Sequence, residues 1–438
     1  MTALCGEKLT CNNLAITLSE SRIPTRARAQ AVSNAHTFLA ETQLQIKRCA
    51  ILLIEPREKL AFDLDSLANG GDGIDASIDL FALAPHLPSE VIVSSAEVEI
   101  LNSVIATRWS DYSELSAKFE PQLLSRLLDK GLLIGDSDSN EEHRRKDGLI
   151  RNGHWHPHSA VSHFFGRWGS ISSQEATENA NLCSMSELIE RLGMPPCHQH
   201  ELVSKGERVQ LPATRHTAID DLLGRRVTCR NFDETREVEE LTFSHLMKRV
   251  FGAQAAYEIH PGNIVIKRTS PSGGGLHPTE PYLLIQRVEG IAPGLYHYHA
   301  VDHALEPLSL QGGDLISLAR VMVTQQAYFS NAAVLIVLAS RFGRMFWKYR
   351  NHSKAYRVSV LDVGHLSQTL YISATEFGLG AFITAAINEV DIEQAFGLDP
   401  LVESPLAVVG FGHRGPECET FEFDPNRKVW PNGVEQPK

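Results

Sequence analysis

The sequence predicts an α+β protein in which a large C-terminal domain follows a smaller N-terminal module. Residues 332–339 form a near-continuous apolar run, which is typical of a central strand buried on both faces. Residues 241–251 and 356–377 repeat apolar side chains at helical spacing, and this predicts one shorter and one long amphipathic helix. Strands and helices therefore contribute to one core in the second half of the chain.

The N-terminal part has a helical pattern of its own. Residues 1–40 are polar and compatible with a helix, and the stretches 49–54 and 59–64 read as the two strands of a hairpin. A hydroxyl cap and acidic residues predict a helix from Ser95. Two shorter helices are predicted after it, followed by a strand that ends at Ile134. Three helices followed by a strand resemble a winged helix. The charged stretch 137–146 then predicts an unstructured linker.

Composition excludes several classes of protein. The chain has 438 residues, of which 43% are hydrophobic and 21% charged, as in a globular protein of two or three domains. A net charge of −12 argues against a nucleic-acid partner. The seven cysteines are scattered, which favours reduced thiols in a cytoplasm. We expect no signal peptide and no membrane span, since no apolar run approaches roughly 20 residues.

A run of three glycines is the most informative stretch of the chain. It reads Pro271-Ser272-Gly273-Gly274-Gly275-Leu276 and lies between two apolar runs. Consecutive glycines cost backbone entropy, and they are justified where the main chain approaches a ligand closely. A flat aromatic cofactor is such a ligand. The alternative is a glycine-rich turn between two strands.

A short basic segment suits a phosphate group. Arg226 and Arg230 flank Thr228, and guanidinium groups donate paired hydrogen bonds to phosphate oxygens while a hydroxyl adds another. The alternative is a solvated basic surface. Further along, Gly378 and Gly380 fit the end of the long helix and its turn into a strand.

Lys348 and Tyr349 are the candidate acid–base pair. A lysine beside a tyrosine in an apolar setting can exchange a proton near neutral pH, because desolvation lowers the pKa of the ammonium group. The alternative is a surface lysine next to a packing tyrosine. Clustered histidines at 154–163 and 197–200 invite a metal site, but no carboxylate or cysteine completes the first cluster, and we predict no metal.

Together these segments resemble the flavin-binding elements of the nitroreductase-like FMN oxidoreductases, above all the SagB-type azoline oxidases and peptide-maturation dehydrogenases. The resemblance covers roughly residues 205–420, and Val227 departs from it, because the family usually has Arg or His there. It implies a winged-helix-like region at 1–150, a connecting segment at 151–204 and a nitroreductase-like FMN domain at 205–438. That domain would have a central mixed sheet flanked by helices.

The resemblance also implies roles for individual residues. Lys348 and Tyr349 would be catalytic, and amide groups near Gly273–Gly275 would stabilise the reduced flavin. The cofactor-binding residues would be Arg226, Thr228, Arg230, Pro271, Ser272, Gly273, Gly274, Gly275, Leu276, Gly378, Gly380 and Arg414.

The implied partners are a precursor peptide, whose leader the N-terminal module would clamp, a second copy of the chain in a homodimer, and enzymes of the cyclodehydratase type. The implied reaction removes a hydride and a proton from a peptide heterocycle, azoline to azole, or from a residue, with reoxidation by dioxygen. Two other functions stay open. One is an NAD(P)H-dependent nitro- or quinone reductase, and the other is a flavin-free scaffold that recruits a peptide.

Overall fold

A computed structural model describes residues 43–310 and 313–433 of the chain. The polar stretch 1–40, with Cys5 and Cys11, lies outside the described residues. From Leu44 onward the chain belongs to one compact unit. Among the described residues, no helix combines the length and apolar character needed to cross a membrane.

The first part of the described chain alternates short strands and short helices. Its strands are β1 (Gln45–Arg48), β2 (Leu53–Phe62), β3 (Ile74–Leu83), β4 (Val91–Val93), β5 (Ser110–Asp111) and β6 (Leu133–Gly135). Its helices are α1 (Leu64–Ala68), α2 (Ser95–Ser103), α3 (Tyr112–Ser116), α4 (Pro121–Asp129), α5 (Glu141–Asn152), α6 (Pro157–Phe165), α7 (Ser173–Asn179) and α8 (Met185–Leu192).

The three helices and the strand predicted for the N-terminal module are present as α2, α3, α4 and β6. Ser94 caps α2 in a capping box with Glu97, which satisfies N–H groups that the first turn leaves free. Buried side chains such as Ile100 and Leu127 pack over β1 and β6 in one apolar core. The winged-helix assignment stays a prediction.

Two predictions for this region are wrong. Residues 55–58 are not a turn, because they lie inside β2, which pairs along its whole length with β3. The stretch 137–146 is not a linker, because residues 141–152 form α5. Glu142 pairs with Arg145 and Lys146 at helical spacing on this helix.

The second part contains the main sheet and the long helix. Its helices are α9 (Ala218–Gly224), α10 (Glu240–Val250), α11 (Leu315–Met322), α12 (Ala327–Ser330), α13 (Phe342–Lys348), α14 (Ala355–Glu376) and α15 (Glu389–Phe396). Its strands are β7 (Ala255–His260), β8 (Asn263–Lys267), β9 (Thr279–Ile285), β10 (Gly294–His299), β11 (Ala304–Leu308), β12 (Val334–Arg341), β13 (Gly380–Thr384) and β14 (Glu403–Gly412).

The main sheet has the strand order β11-β10-β9-β12-β14-β13 in the described chain. Its named strands pair antiparallel, and a parallel bridge between Thr228 and Ala381 makes the sheet mixed at the β13 edge. Strand β12 is central and buried except at Arg341, as the apolar run predicts. The predicted α+β fold class, with helices on a mixed sheet, is confirmed.

Helices cover both faces of this sheet. Side chains of α10 and α14 join one apolar cluster, and side chains of α11 and α15 join the other. The long helix predicted at 356–377 is present as α14, but two residues of its predicted buried face, Val360 and Gly364, are exposed. A strip of small and apolar residues on α14 is therefore partly exposed.

Candidate active site

The glycine run forms a short 3₁₀ turn before β9, and its main chain lies close to other parts of the chain. The φ angle is 65° at Gly274 and 69° at Gly275, in the left-handed region that favours glycine. A Cβ atom on Gly273 would lie 2.0 Å from Val358 Cγ1, and one on Gly274 would lie 2.7 Å from Tyr349 Oη. A side chain at either position would therefore displace a neighbouring side chain.

Asp362 on α14 holds this turn in place. The Ser272 hydroxyl donates to Asp362 Oδ2 at 2.5 Å, and the Gly273 N–H donates to Oδ1 at 3.0 Å. Burial raises the pKa of the Asp362 carboxyl. Asp362 was not predicted from the sequence, where its available signal is one carboxylate inside a helix face of small and apolar residues.

Two amide groups of the glycine run are already engaged within the chain. The Gly273 N–H donates to Asp362, and the Gly275 N–H donates to the Ser272 carbonyl at 3.0 Å. The expectation that these two amides stabilise a reduced flavin is therefore wrong. What the run offers to a ligand is a surface without side chains.

The structure brings Lys348 and Tyr349 to the glycine run. A Cβ atom on Gly274 would lie 3.0 Å from Lys348 Nζ, close to its distance from Tyr349 Oη. Lys348 Nζ lies 5.6 Å from the centroid of the Tyr349 ring. The apolar setting expected for Lys348 is wrong, because its side chain is exposed, whereas Tyr349 is half-buried.

An aromatic cluster supports α13, which ends at Lys348. The Trp155 ring lies 4.6 Å from the Phe342 ring and 4.7 Å from the Phe346 ring, measured between centroids. His163 stacks on Trp155, and its Nδ1 lies 3.1 Å from Tyr356 Oη. Burial lowers the pKa of His163 to about 3, so this histidine is a neutral core residue. Trp155 and His163 therefore pack against the helix that ends at Lys348.

The described residues contain no group of three or more His, Cys, Asp or Glu side chains that could hold a metal ion. His156 and His158 stack on each other, and Cys197 lies 3.9 Å from His198.

A cavity of about 770 Å³ opens at the glycine run. Gly274, Gly275 and Leu276 line it on one side, and Trp347 and Lys348 of the α13 end line it on another. The β7–β8 hairpin also contributes to its lining. The cavity is large enough for a flat tricyclic ligand, since ligand pockets commonly measure about 300–1,000 Å³.

Arg226 and Thr228 meet at Tyr371 on α14. The Arg226 guanidinium lies 5.3 Å from the Tyr371 ring centroid, and Thr228 Oγ1 lies 3.1 Å from Tyr371 Oη. The bridge to Ala381 fixes this segment beside β13. A cation and two hydroxyl groups thus converge, as a phosphate site requires.

Arg230 and Arg414 are both tied to the segment that contains Glu422, which the sequence analysis missed. Glu422 is fully buried, pairs with the Arg414 guanidinium and accepts the Arg230 N–H at 2.6 Å. Arg414 also donates to the Val227 carbonyl at 2.7 Å. The guanidinium of Arg414 therefore has a structural partner. The Arg230 side chain lines a separate cavity of about 780 Å³.

The remaining predicted residues are Gly378, Gly380, Leu276 and Pro271. Gly378 has φ 72° just after α14. A Cβ atom on Gly380 would lie 2.5 Å from Cys229 Sγ, so Gly380 lets the Arg226 segment approach β13. Leu276 is buried among the aromatic side chains below α13, and Pro271 is exposed.

The two predicted cofactor segments contact opposite faces of α14. Asp362 contacts the glycine run and Tyr371 contacts Thr228, and these two residues are nine positions apart on the helix. Nine residues make two and a half turns and a rise of about 14 Å. Within one chain, the phosphate-type residues and the glycine run therefore face different sides.

Comparisons with known proteins agree with the fold. The model of the nitroreductase family matches residues 223–413. The trifolitoxin-processing protein TfxB of Rhizobium leguminosarum bv. trifolii is 28% identical over 144 residues, which are 32% of this chain and 38% of TfxB. The chain thus spans less than half the length of this relative.

Two further similarities cover most of the compared proteins. The protein named "Putative nitroreductase MJ1384" of Methanocaldococcus jannaschii is 26% identical over 207 residues, which are 47% of this chain and 96% of that protein. A chain in the structure of the E. coli microcin synthetase McbBCD complex with truncated pro-MccB17 bound is 22% identical. That superposition covers 61% of this chain and 97% of the other, with a TM-score of 0.45.

Proposed function

We propose that the chain, whose residues 223–413 match the nitroreductase family model, is an FMN-dependent dehydrogenase that matures a ribosomally made peptide. The family consists of oxidoreductases that generally bind a flavin. The observation that carries the proposal is that the glycine run and Lys348 border one cavity, with Tyr349 beside Gly274. The similarity to TfxB, a trifolitoxin-processing protein, supports a peptide as the substrate.

The residues present fit FMN. A Cβ atom on Gly275 would meet nothing within 4 Å, so bare main chain borders open space in the 770 Å³ cavity. Arg226 and Thr228 would hold the phosphate. Arg230, whose side chain lines a separate cavity and donates to the Phe421 carbonyl, would act by fixing the same segment. Arg414 would contribute chiefly by fixing that segment through Val227, because its guanidinium pairs with Glu422.

A homodimer would complete the cofactor site. Since the phosphate-type residues and the glycine run contact opposite faces of α14, the glycine run of one copy would face the Arg226 segment of the other. The exposed strip of α14, which includes Val360, Leu361 and Gly364, supports this proposal as the contact between copies. The small and apolar residues of the strip allow helices to pack closely.

The chain's own residues would position the substrate and move a proton. A bound flavin supplies an acceptor for the hydride that leaves the peptide carbon. Lys348 or Tyr349 would take the proton from the adjacent carbon, so that the peptide loses one hydride and one proton and gains a double bond. The Asp362 contacts would keep the glycine run rigid during this step. An azoline ring or a residue side chain would lose hydrogen in the same way.

The absorbance spectrum of the purified protein is the first test. We expect a flavin spectrum with about one FMN per chain, and a peptide product lighter by the mass of two hydrogens. The Arg226→Ala and Arg230→Ala variants should retain less FMN than the parent. A colourless protein that cannot be reconstituted with FMN would refute the proposal and favour the peptide-recruiting scaffold.

A reductase is the second candidate, because MJ1384 carries a nitroreductase name and is 26% identical to this chain over 207 residues. The two enzymes differ in the electron donor. Rapid, stoichiometric flavin reduction by NADPH in a stopped-flow experiment would favour the reductase. Reduction by a peptide in the absence of nicotinamide would favour the dehydrogenase. The leader clamp in the N-terminal module stays a prediction.

A further inference from the structure

A smaller cavity of about 250 Å³ shares two residues with the cavity at the glycine run, and its lining is strongly basic. Arg341 and Arg344 line both cavities, and Arg268 lines the smaller one. Among its lining residues in the described chain, Glu280 is the acidic one. We name this cavity the basic pocket. Its three guanidinium groups contrast with the chain's net charge of −12.

Arg268 is a buried cation with an unused donor. Arg268 is 2% exposed, and its Nη1 donates to the Thr279 carbonyl at 2.9 Å. Its buried Nε has no hydrogen-bond partner among the described residues. An unsatisfied buried donor costs free energy, and the cost is larger for a charged group. A ligand with acceptor oxygens in the basic pocket would remove that cost.

The other two arginines are fixed at the wall between the cavities. Arg344 Nε donates to the Leu276 carbonyl at 2.5 Å, which uses one of the five N–H donors of a guanidinium. Arg341 pairs with Glu280 at 3.0 Å, and Glu280 also lies 3.6 Å from His297 Nε2. Glu280 thus partners both Arg341 and His297, and the three arginines leave the pocket with an excess of positive charge.

The titration of His277 agrees with this excess. Burial lowers the pKa of His277 to about 4, and the charges of Arg268, Arg344 and Lys267 contribute to the decrease. A histidine in the lining thus experiences a positive field in addition to desolvation.

We propose that the basic pocket binds a carboxylate group of the peptide substrate next to the position that is oxidised. The geometry that carries this is the shared wall, since Arg341 and Arg344 border the cavity that contains Lys348. Guanidinium and carboxylate form two parallel, charge-assisted hydrogen bonds. This inference rests on the proposed function in one respect: the peptide that supplies the carboxylate is taken to be the substrate. The carboxylate would come from an acidic side chain or from the C-terminus.

Binding of short peptides to the full chain tests the proposal without redox chemistry. Three peptides of equal length are compared by calorimetry: one with a central Glu and an amidated end, one with Gln and an amidated end, and one with Gln and a free C-terminus. We expect one or both of the carboxylate peptides to bind at least about tenfold more tightly than the neutral one. The tighter of the two identifies the source of the carboxylate.

Variants separate the basic pocket from general positive charge. Arg344→Gln and Arg268→Met should remove the preference, and Arg344→Gln suffices if the buried Arg268 variant does not fold. Arg350→Gln is the matched control, because Arg350 is exposed just past the end of the same helix and outside the pocket. Arg350→Gln should keep the preference.

Equal affinities for all three peptides, an absence of binding, or an undiminished preference in Arg344→Gln would overturn the inference. These outcomes are distinct from failure of the proposed function, which appears as a protein that holds no flavin.

Discussion

Lys348 and Tyr349 reach the glycine run at one residue, Gly274, and this contact defines the site at the residue scale. Replacement of Lys348 by Ala should leave bound FMN unchanged but reduce peptide oxidation by about 10²–10⁴-fold, since general acid–base groups contribute rates of this size. Flavin absorbance and single-turnover kinetics measure the two effects. Lys354→Ala, at another exposed lysine, should behave as the parent. A Lys348→Ala variant that oxidises peptide at the parent rate would exclude a catalytic role.

Glu403 is a half-buried carboxyl whose charge affects stability near neutral pH. Burial and the charge of Glu280 raise the pKa of Glu403 to about 7, while the hydrogen bond from Tyr282 and the charges of Arg341 and His297 oppose the shift. A carboxyl whose pKa is raised on folding contributes stability below its unfolded pKa, and that stability is lost as the pH rises toward 7. The contribution of the Glu403 carboxyl to the stability of the parent protein should therefore be lost as the pH rises from 4.5 to 7.

Removal of the Glu403 charge should reverse that loss. We expect Glu403→Gln to be more stable than the parent at pH 8, by at most about 3 kcal/mol, and similar to the parent at pH 4.5. Urea unfolding at both pH values measures the difference. Glu306→Gln is the control, because His297 lowers the pKa of this exposed carboxyl and the variant should gain nothing at pH 8. Equal stabilities of Glu403→Gln and parent at pH 8 would contradict the argument.

At the scale of elements, the turn at Gly273 and helix α14 pack without space for one methyl group. Gly273→Ala would place Cβ 2.0 Å from Val358 Cγ1 and should cost about 1–3 kcal/mol. Val358→Ala should also lower the free energy of unfolding, because packing is lost. The double variant should lose at least about 1 kcal/mol less free energy of unfolding than the sum of the losses in the two single variants. Thermal and urea unfolding complete the cycle. Gly275→Ala with Val358→Ala should be additive, because a Cβ there meets nothing within 4 Å. An additive Gly273 cycle would show that the clash is absent.

Elements with continuous apolar patterns were predicted well, and elements held by charge pairs were not. Strand β12 and helix α14 follow directly from apolar runs. Helix α5 was not predicted because its residues are mostly charged. Its ion pairs join residues three and four positions apart, which become neighbours only once the helix has formed. Strand β2 was divided at Pro56, although its pairing with β3 continues past that residue. Composition alone cannot show which partner a strand finds.

At the scale of the whole molecule, the cofactor site should depend on association of two copies. Leu361 is 54% exposed on α14, and Leu361→Asp would place a charge in the proposed contact. We expect this variant to elute with half the mass of the parent in light-scattering chromatography and to lose FMN. Ile316→Asp, at an exposed apolar residue of α11, should leave mass and FMN unchanged. A monomeric parent that retains FMN would contradict the shared site.

The sequence by itself determined the elements and the residue types of this protein, because apolar periodicity, consecutive glycines and clustered arginines act over short stretches of chain. Tertiary structure alone decided how those stretches meet. It placed Lys348 on Gly274, Asp362 under the turn and Glu422 between two arginines, and it separated the glycine run from the Arg226 segment across α14. Such contacts join residues distant in sequence, and their distances depend on how helices and strands pack around a common core.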